Sequence, residues 1–366
     1  MDFIDLKTQY RQYKTAIDEA IHEVLDNSNY VMGKQVFSLE ETLANYVDAK
    51  HCISVASGTD SLLISLMALD IGPGDEVITV PYTWISTAEV IKLVGADVVF
   101  VDIEPTTYNI DLKQMEAAIT PKTKAIMPVS LFGQMPDYEA INAIANKHGI
   151  PVIEDGAQSF GATQNGKKSC GVTTLGCTSF FPAKPFGCYG DGGAIFTSDD
   201  ALADKCRAVR NHGGLVRHDH RYVGLNGRFD TIQAAVLLAK WPHFDKEVQA
   251  RQAIGQRYSE NLGNCCITPA IADGNTSVYA QYTIRLPNRD AVAASLKEQG
   301  IPTAIYYPSS VHQQPAFAYL GYKTGSFPVS EKVGDEVLSL PMHPFLSESD
   351  QDTIVAAVKE ATLATV

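Results

Sequence analysis

Between His51 and Glu154, short β-branched runs alternate with helical stretches, and this alternation constrains the fold more than any other feature. Strands are expected at 51–57, 76–80, 97–102, 124–130 and 151–154. Helices are expected between them at 60–69, 85–94, 111–119 and 138–148, the first stopped by Gly72-Pro73-Gly74. Such a repeat implies βαβ units on a mainly parallel sheet. Strands at 177–181 and 193–197 and a helix at 200–210 extend the unit. Ahead of it, Tyr10, Tyr13, Ile17, Ile21, Val24 and Leu25 step by three and four, the spacing of an amphipathic helix.

The pattern changes beyond residue 211. Residues 212–228 (HGGLVRHDHRYVGLNGR) are polar and basic and read as a loop. A long helical stretch over 231–262 follows. Then come a strand at 278–286, a helix at 290–299, a strand at 302–307 and a helix near 348–362. The expected fold is α/β: an N-terminal segment and a large, mainly parallel-sheet domain over 1–240, and a smaller C-terminal α/β domain over 241–366. A chain of 366 residues is long enough for both.

Composition removes several function classes. Lys and Arg number 29 against 42 Asp and Glu, a net charge of −13, which argues against a nucleic-acid backbone as partner. The most apolar stretch, Ser61 to Ile71, is interrupted by Ser65 and Asp70 and falls short of the ~20 residues of a membrane span. The N-terminus MDFIDLKTQYRQYK has no apolar segment after a basic start, so no secretory signal is expected. Seven cysteines without a CxxC spacing fit a cytoplasmic protein with reduced thiols. No metal site is expected: Cys265 and Cys266 are adjacent, and His218-Asp219-His220 reads as a hydrated loop.

Ligands of open α/β sheets bind at the carboxyl ends of the strands, so chemistry is sought there. Strand 51–57 ends in Ser57-Gly58-Thr59-Asp60, where a helix start offers free amides to an anion or simply carries an N-cap. Strand 151–154 ends in Glu154-Asp155-Gly156-Ala157-Gln158. A buried acid there needs a partner, either an ion pair or a cationic ring nitrogen. In TSFFPAKPFGCYGDGGA, Lys184 stands between Pro182 and Pro185 among Phe180, Phe181 and Phe186. Desolvation there lowers an amine's pKa and makes it nucleophilic, the alternative being a lysine snorkelling past an apolar edge. The lysine precedes its glycines, the wrong order for a phosphate-binding P-loop. Neither GxGxxG after the first strand nor GxSxG occurs. A phosphate cup, a buried acid and a desolvated lysine together are what pyridoxal phosphate requires. Trp84, in PYTWISTAE, is the candidate for its ring face, with core packing as the alternative.

The order SGTDSL, PYTWISTAEV, VIEDGAQSFGA, SFFPAKPFGCYGDGGA and NGRFDTIQAA resembles the sugar aminotransferases of the DegT/DnrJ/EryC1/StrS family, which are fold-type I pyridoxal-phosphate transferases. The resemblance runs from about residue 2 to PMHP at 341–344. It implies that Lys184 forms the Schiff base with the cofactor, Asp155 pairs with the pyridine nitrogen, Gln158 sits by the ring hydroxyl and Trp84 stacks on the ring. It further implies that Gly58, Thr59 and Ser179 bind the phosphate and that Asn226 reaches a neighbouring subunit's phosphate, hence a homodimer with shared active sites. Implied substrates are a nucleotide-linked ketosugar and L-glutamate. Some members carry histidine in place of the lysine and dehydrate; Lys184 favours transamination. PVSLFGQ, SVYAQYT and SLPMHP are most similar to members acting on UDP-2-acetamido-2-deoxy-3-oxo-glucuronate for O-antigen precursors. Arg228 and Tyr307 are candidates to hold the nucleotide sugar, Arg228 through its bidentate fork or else as a solvated loop charge. His312 and His343 are either sugar contacts or structural. Other UDP- or dTDP-ketosugars, a dehydratase and a non-catalytic cofactor-binding regulator are the competing expectations.

Overall fold

The structure, a computed structural model, describes residues 1–364. Two helices lead in, α1 (Leu6–Asn27) and α2 (Lys34–Val47). Asp5 caps α1, its Oδ1 accepting from the Thr8 amide at 2.8 Å. The alternating region then forms in order: β1 (His51–Val55), α3 (Gly58–Ala68), β2 (Glu76–Thr79), α4 (Ser86–Leu93), β3 (Asp97–Phe100), α5 (Leu112–Ala117), β4 (Thr123–Ile126), α6 (Tyr138–His148) and β5 (Ile153–Asp155). A two-residue hairpin, β6 (Thr163–Gln164) with β7 (Lys167–Lys168), precedes β8 (Leu175–Ser179), β9 (Gly193–Thr197) and α7 (Asp200–Arg210).

The large sheet has the strand order β3-β2-β4-β5-β8-β9-β1. The link from β4 to β5 is made by parallel bridges, Ile126 to Val152 and Val129 to Asp155. β9 runs antiparallel to both its neighbours, and the other strands share one direction. Alternate strand residues face opposite layers. Ile53, Val55 and Val77 join Leu62, Ile91 and Cys206 of α3, α4 and α7 in one core. Cys52, Ile78 and Val80 join Leu39 and Ile141 of α2 and α6 in the other. Parallel strands covered on both faces lose the polar alternation of a half-exposed sheet, which is why these runs read as continuously apolar.

After the 212–228 loop come α8 (Thr231–Lys240) and α9 (Phe244–Leu262). β10 (Tyr282–Arg285) pairs antiparallel with β11 (Val337–Leu340), accompanied by α10 (Arg289–Glu298), α11 (Pro328–Glu336) and α12 (Glu348–Ala364). A third apolar core, Tyr258, Leu262, Ile284, Leu296, Leu338 and Val358 among its members, is drawn from this part of the chain. Among the described residues no helix is long and apolar enough to cross a membrane.

Three expectations need correction. The helical stretch 231–262 is two helices separated by a 3-10 turn at Trp241–His243, because Pro242 has no amide to donate. Residues 302–307 do not form a strand. Only Ala304 is bridged, to Ser339, and the Tyr306 and Tyr307 backbone is met by the Tyr82 hydroxyl instead. The expected strand 278–286 is confined to Tyr282–Arg285, since the Val278 amide turns to the Gly133 carbonyl. The helix at 34–47 was not anticipated.

Candidate active site

The carboxyl ends of β1, β5 and β8 meet at one edge of the sheet. Ser57 leaves β1 extended, and its Oγ caps α3 by accepting from the Asp60 amide at 3.0 Å. The first amides of α3, at Gly58 and Thr59, have no acceptor within the helix, and the helix dipole turns its positive end to the same place. A Cβ on Gly58 would lie 2.7 Å from Cβ of Ser179, so only glycine lets α3 start against the end of β8. Ser179 Oγ accepts from the Phe181 amide at 3.2 Å. Thr59 Oγ1 and Ser86 Oγ are 2.9 Å apart. The result is a small polar cup suited to a phosphate monoester.

Asp155 closes β5 and is buried. Its Oδ2 accepts from Thr87 Oγ1 at 2.7 Å and its Oδ1 from the Ala157 amide at 3.2 Å. Burial raises its pKa against those two hydrogen bonds and the attraction of Lys184. Its neighbour Glu154 faces the interior, accepting from Ser130 and Ser169 hydroxyls and the Cys170 amide, and burial raises its pKa to about 7.

Lys184 lies on the loop joining β8 to β9. Its amide donates to the Phe181 carbonyl at 2.8 Å, and Cys188 N closes the loop on Phe180 O at 2.8 Å. Desolvation lowers the amine's pKa, and the Asp155 charge opposes that shift. Phe180 and Phe186 are buried beneath the loop, with ring centroids 5.9 Å apart. Gln233 of α8 splints its far side, Oε1 accepting from the Tyr189 amide at 2.8 Å.

Tyr307 enters from the C-terminal part of the chain. Its hydroxyl accepts from Gln158 Nε2 at 3.2 Å, while Gln158 Oε1 accepts from the Phe132 amide at 2.7 Å. Burial, with Asp155 adding to it, pushes the Tyr307 phenol above the ordinary tyrosine range. The Trp84 ring is 6.0 Å from that of Tyr307 and 58% exposed, so it is no core residue. Lys184, Asp155, Gln158, Tyr307 and Trp84 thus gather beside the Gly58, Thr59 and Ser179 cup. Asn226 and Arg228 lie on a strip bonded to the end of β1, with Ala56 N donating to Gly227 O at 2.9 Å. Asn226 is exposed; Arg228 donates to Asn211 Oδ1 at 2.9 Å. His312 is buried and paired with Glu331 at 3.1 Å, the structural alternative. His343 is buried near Asp5, and burial lowers its pKa.

Thr87 and Tyr82 were not read from the sequence. Thr87 holds Asp155, and Tyr82 accepts from the Tyr307 amide at 2.8 Å. Both belong to the PYTWIST segment that supplied Trp84.

The cup, the acid and the amine match the phosphate, ring nitrogen and aldehyde of pyridoxal phosphate. A profile of the DegT/DnrJ/EryC1/StrS aminotransferase family matches residues 11–359. The UDP-2-acetamido-2-deoxy-3-oxo-D-glucuronate aminotransferase of Pseudomonas aeruginosa is 53% identical over 98% of this chain and 99% of its own. The UDP-N-acetyl-3-dehydro-alpha-D-glucosamine 3-aminotransferase of Acidithiobacillus ferrooxidans is 42% identical over 98% of this chain and 97% of its own. The crystal structure of NtdA from Bacillus subtilis with bound cofactor PMP superimposes with a TM-score of 0.90 at 30% identity, covering 99% of this chain and 83% of that one.

Proposed function

The chain belongs to the DegT/DnrJ/EryC1/StrS aminotransferase family, and from that premise we propose that it moves the amino group of L-glutamate to a nucleotide-linked ketosugar. UDP-2-acetamido-2-deoxy-3-oxo-D-glucuronate is the acceptor we assign, on the 53% identity to the Pseudomonas aeruginosa enzyme, for O-antigen or other surface-polysaccharide precursors made in the cytoplasm. The observation that carries the reading is the pairing of a desolvated lysine with a desolvated carboxylate beside a glycine-lined cup.

Pyridoxal phosphate supplies an aldehyde that takes up amines covalently and a ring that accepts electrons from the adjoining carbon. Gly58, Thr59 and Ser179 hold the phosphate. Asp155 keeps a proton on the ring nitrogen, and Thr87 fixes the carboxylate that does so. Gln158 would meet the ring hydroxyl, and Trp84 would cover the ring. Lys184 would hold the aldehyde carbon and would serve as the general base for the proton on the amino-bearing carbon of glutamate. A lowered amine pKa leaves a larger neutral fraction for this work. Arg228 and Tyr307 orient the nucleotide sugar.

We assign a homodimer with shared sites. Leu215, Val216, Tyr222 and Val223 are exposed apolar side chains on the 212–228 loop, and in the proposed dimer that loop would bring Asn226 to a neighbour's phosphate. The division at residues 240 and 241 is likewise proposed, on the helix break at Trp241–His243 and the separate apolar core beyond it.

Lys184→Ala tests the reading. The variant is expected to fold, to lose the absorbance band of the lysine-bound cofactor and to release no 2-oxoglutarate from glutamate and ketosugar. Turnover surviving in it overturns the assignment. A panel of UDP- and dTDP-ketosugars, read by mass spectrometry of the aminated product, fixes the acceptor. Sugar conversion without 2-oxoglutarate release would indicate a dehydratase, and cofactor binding without any conversion a regulator.

A further inference from the structure

A second lysine, Lys240, is buried at the end of α8. Lysine is rarely buried without a partner. Its ammonium donates to the Gly187 carbonyl and lies 5.6 Å from the centroid of the Tyr189 ring. The charged or titratable groups acting on it are Glu247 and Arg251 of α9 and the Cys188 thiol; burial lowers its pKa to about 8 against the attraction of Glu247.

Gly187 stands three residues beyond Lys184. A Cβ there would lie 2.5 Å from Pro182 O and 2.6 Å from Phe181 O, so the turn has no slack on its inner side. Lys240 grips the same residue by its carbonyl. Gln233, two helical turns earlier on the same face of α8, binds both the amide and the carbonyl of Tyr189. α8 therefore holds the Lys184 loop at two points, one of them through a cation. Charge-assisted hydrogen bonds are roughly twice as strong as neutral ones.

We propose that Lys240 is a positioning residue for Lys184, its ammonium clamping the Gly187 carbonyl so that the loop presents the Lys184 amine beside Asp155. The inference rests on Lys184 being the reacting amine, but its first test does not. Hydrogen exchange of a peptide covering 181–190 in the apoprotein is compared among wild type, Lys240→Met and Lys240→Arg. Lys240→Met is expected to raise exchange in that peptide by about tenfold, the effect of 1.4 kcal/mol, with β1 and α7 unchanged. Lys240→Arg keeps the cation and is expected to keep the protection. In the holoenzyme, kcat of wild type is expected to fall as pH rises through about 8, where the clamp loses its charge, and Lys240→Arg is expected to move that limb upward. Where Lys240→Met does not fold, Lys240→Gln replaces it. Unchanged exchange at 181–190, or an alkaline limb at the same pH in Lys240→Arg, overturns the proposal. Failure of the Lys184→Ala test overturns the functional reading and leaves the exchange result standing.

Discussion

Glu154 and Asp155 are adjacent acids with opposite fates, because successive strand residues face opposite layers. Asp155 looks into the site. Glu154 looks into the core, where three donors hold it and burial raises its pKa from 4.5 to about 7. Between those values the folded protein keeps a proton that the unfolded chain has released, so stability falls as pH rises through that window. A shift of this size corresponds to about 3 kcal/mol. Glu154→Gln is expected to flatten the decline, measured as urea unfolding free energies at pH 5 and pH 7.5; equal slopes in both proteins would count against the assignment. Sequence disclosed the acid pair and Lys184 because their types clash with their surroundings, carboxylates at a strand end and an amine among phenylalanines. Thr87 was silent because a threonine on a helix is ordinary. Its importance arises only when folding brings it to Asp155, 68 residues away.

At the scale of elements, the alternation of β1 to β5 was readable because each segment is defined by its own residues. Failures came where a distant element decides. Residues 302–307 are β-branched and aromatic enough for a strand, but the Tyr82 hydroxyl takes the backbone groups a strand partner would have used. The start of α3 is the element on which the cup depends. Overpacking costs about 1–3 kcal/mol, so Gly58→Ala, with its methyl against Ser179, is expected to weaken pyridoxal-phosphate binding by about tenfold. An absorbance titration of the apoprotein measures this, and an unchanged dissociation constant would show that the cup is elsewhere.

For the whole molecule, net charge is a poor guide to ligands. The chain is acidic overall, yet its proposed ligands are anions met by a helix start, Lys184 and Arg228. The proposed pairing of subunits makes a further prediction. Val223 is 86% exposed beside the exposed Tyr222 on the 212–228 loop. Val223→Asp is expected to shift the protein to monomers by light scattering and to cut turnover at least tenfold, because Asn226 then has no neighbour to reach. A fully active monomer would refute shared sites.

The reversed strand β9 has a consequence for how the molecule is made. His51 of β1 pairs with Thr197 of β9, and β9 pairs in turn with β8, so the strands that set Gly58 against Ser179 are joined only once the chain has been synthesised past residue 197. At about 5–20 residues per second, the first strand waits on the order of ten seconds for its partner. Non-local pairing of this kind slows folding and leaves an open sheet edge exposed meanwhile. Assembly of the site is therefore a late event, and a nascent chain halted before β9 carries the phosphate-binding segment without the means to close it.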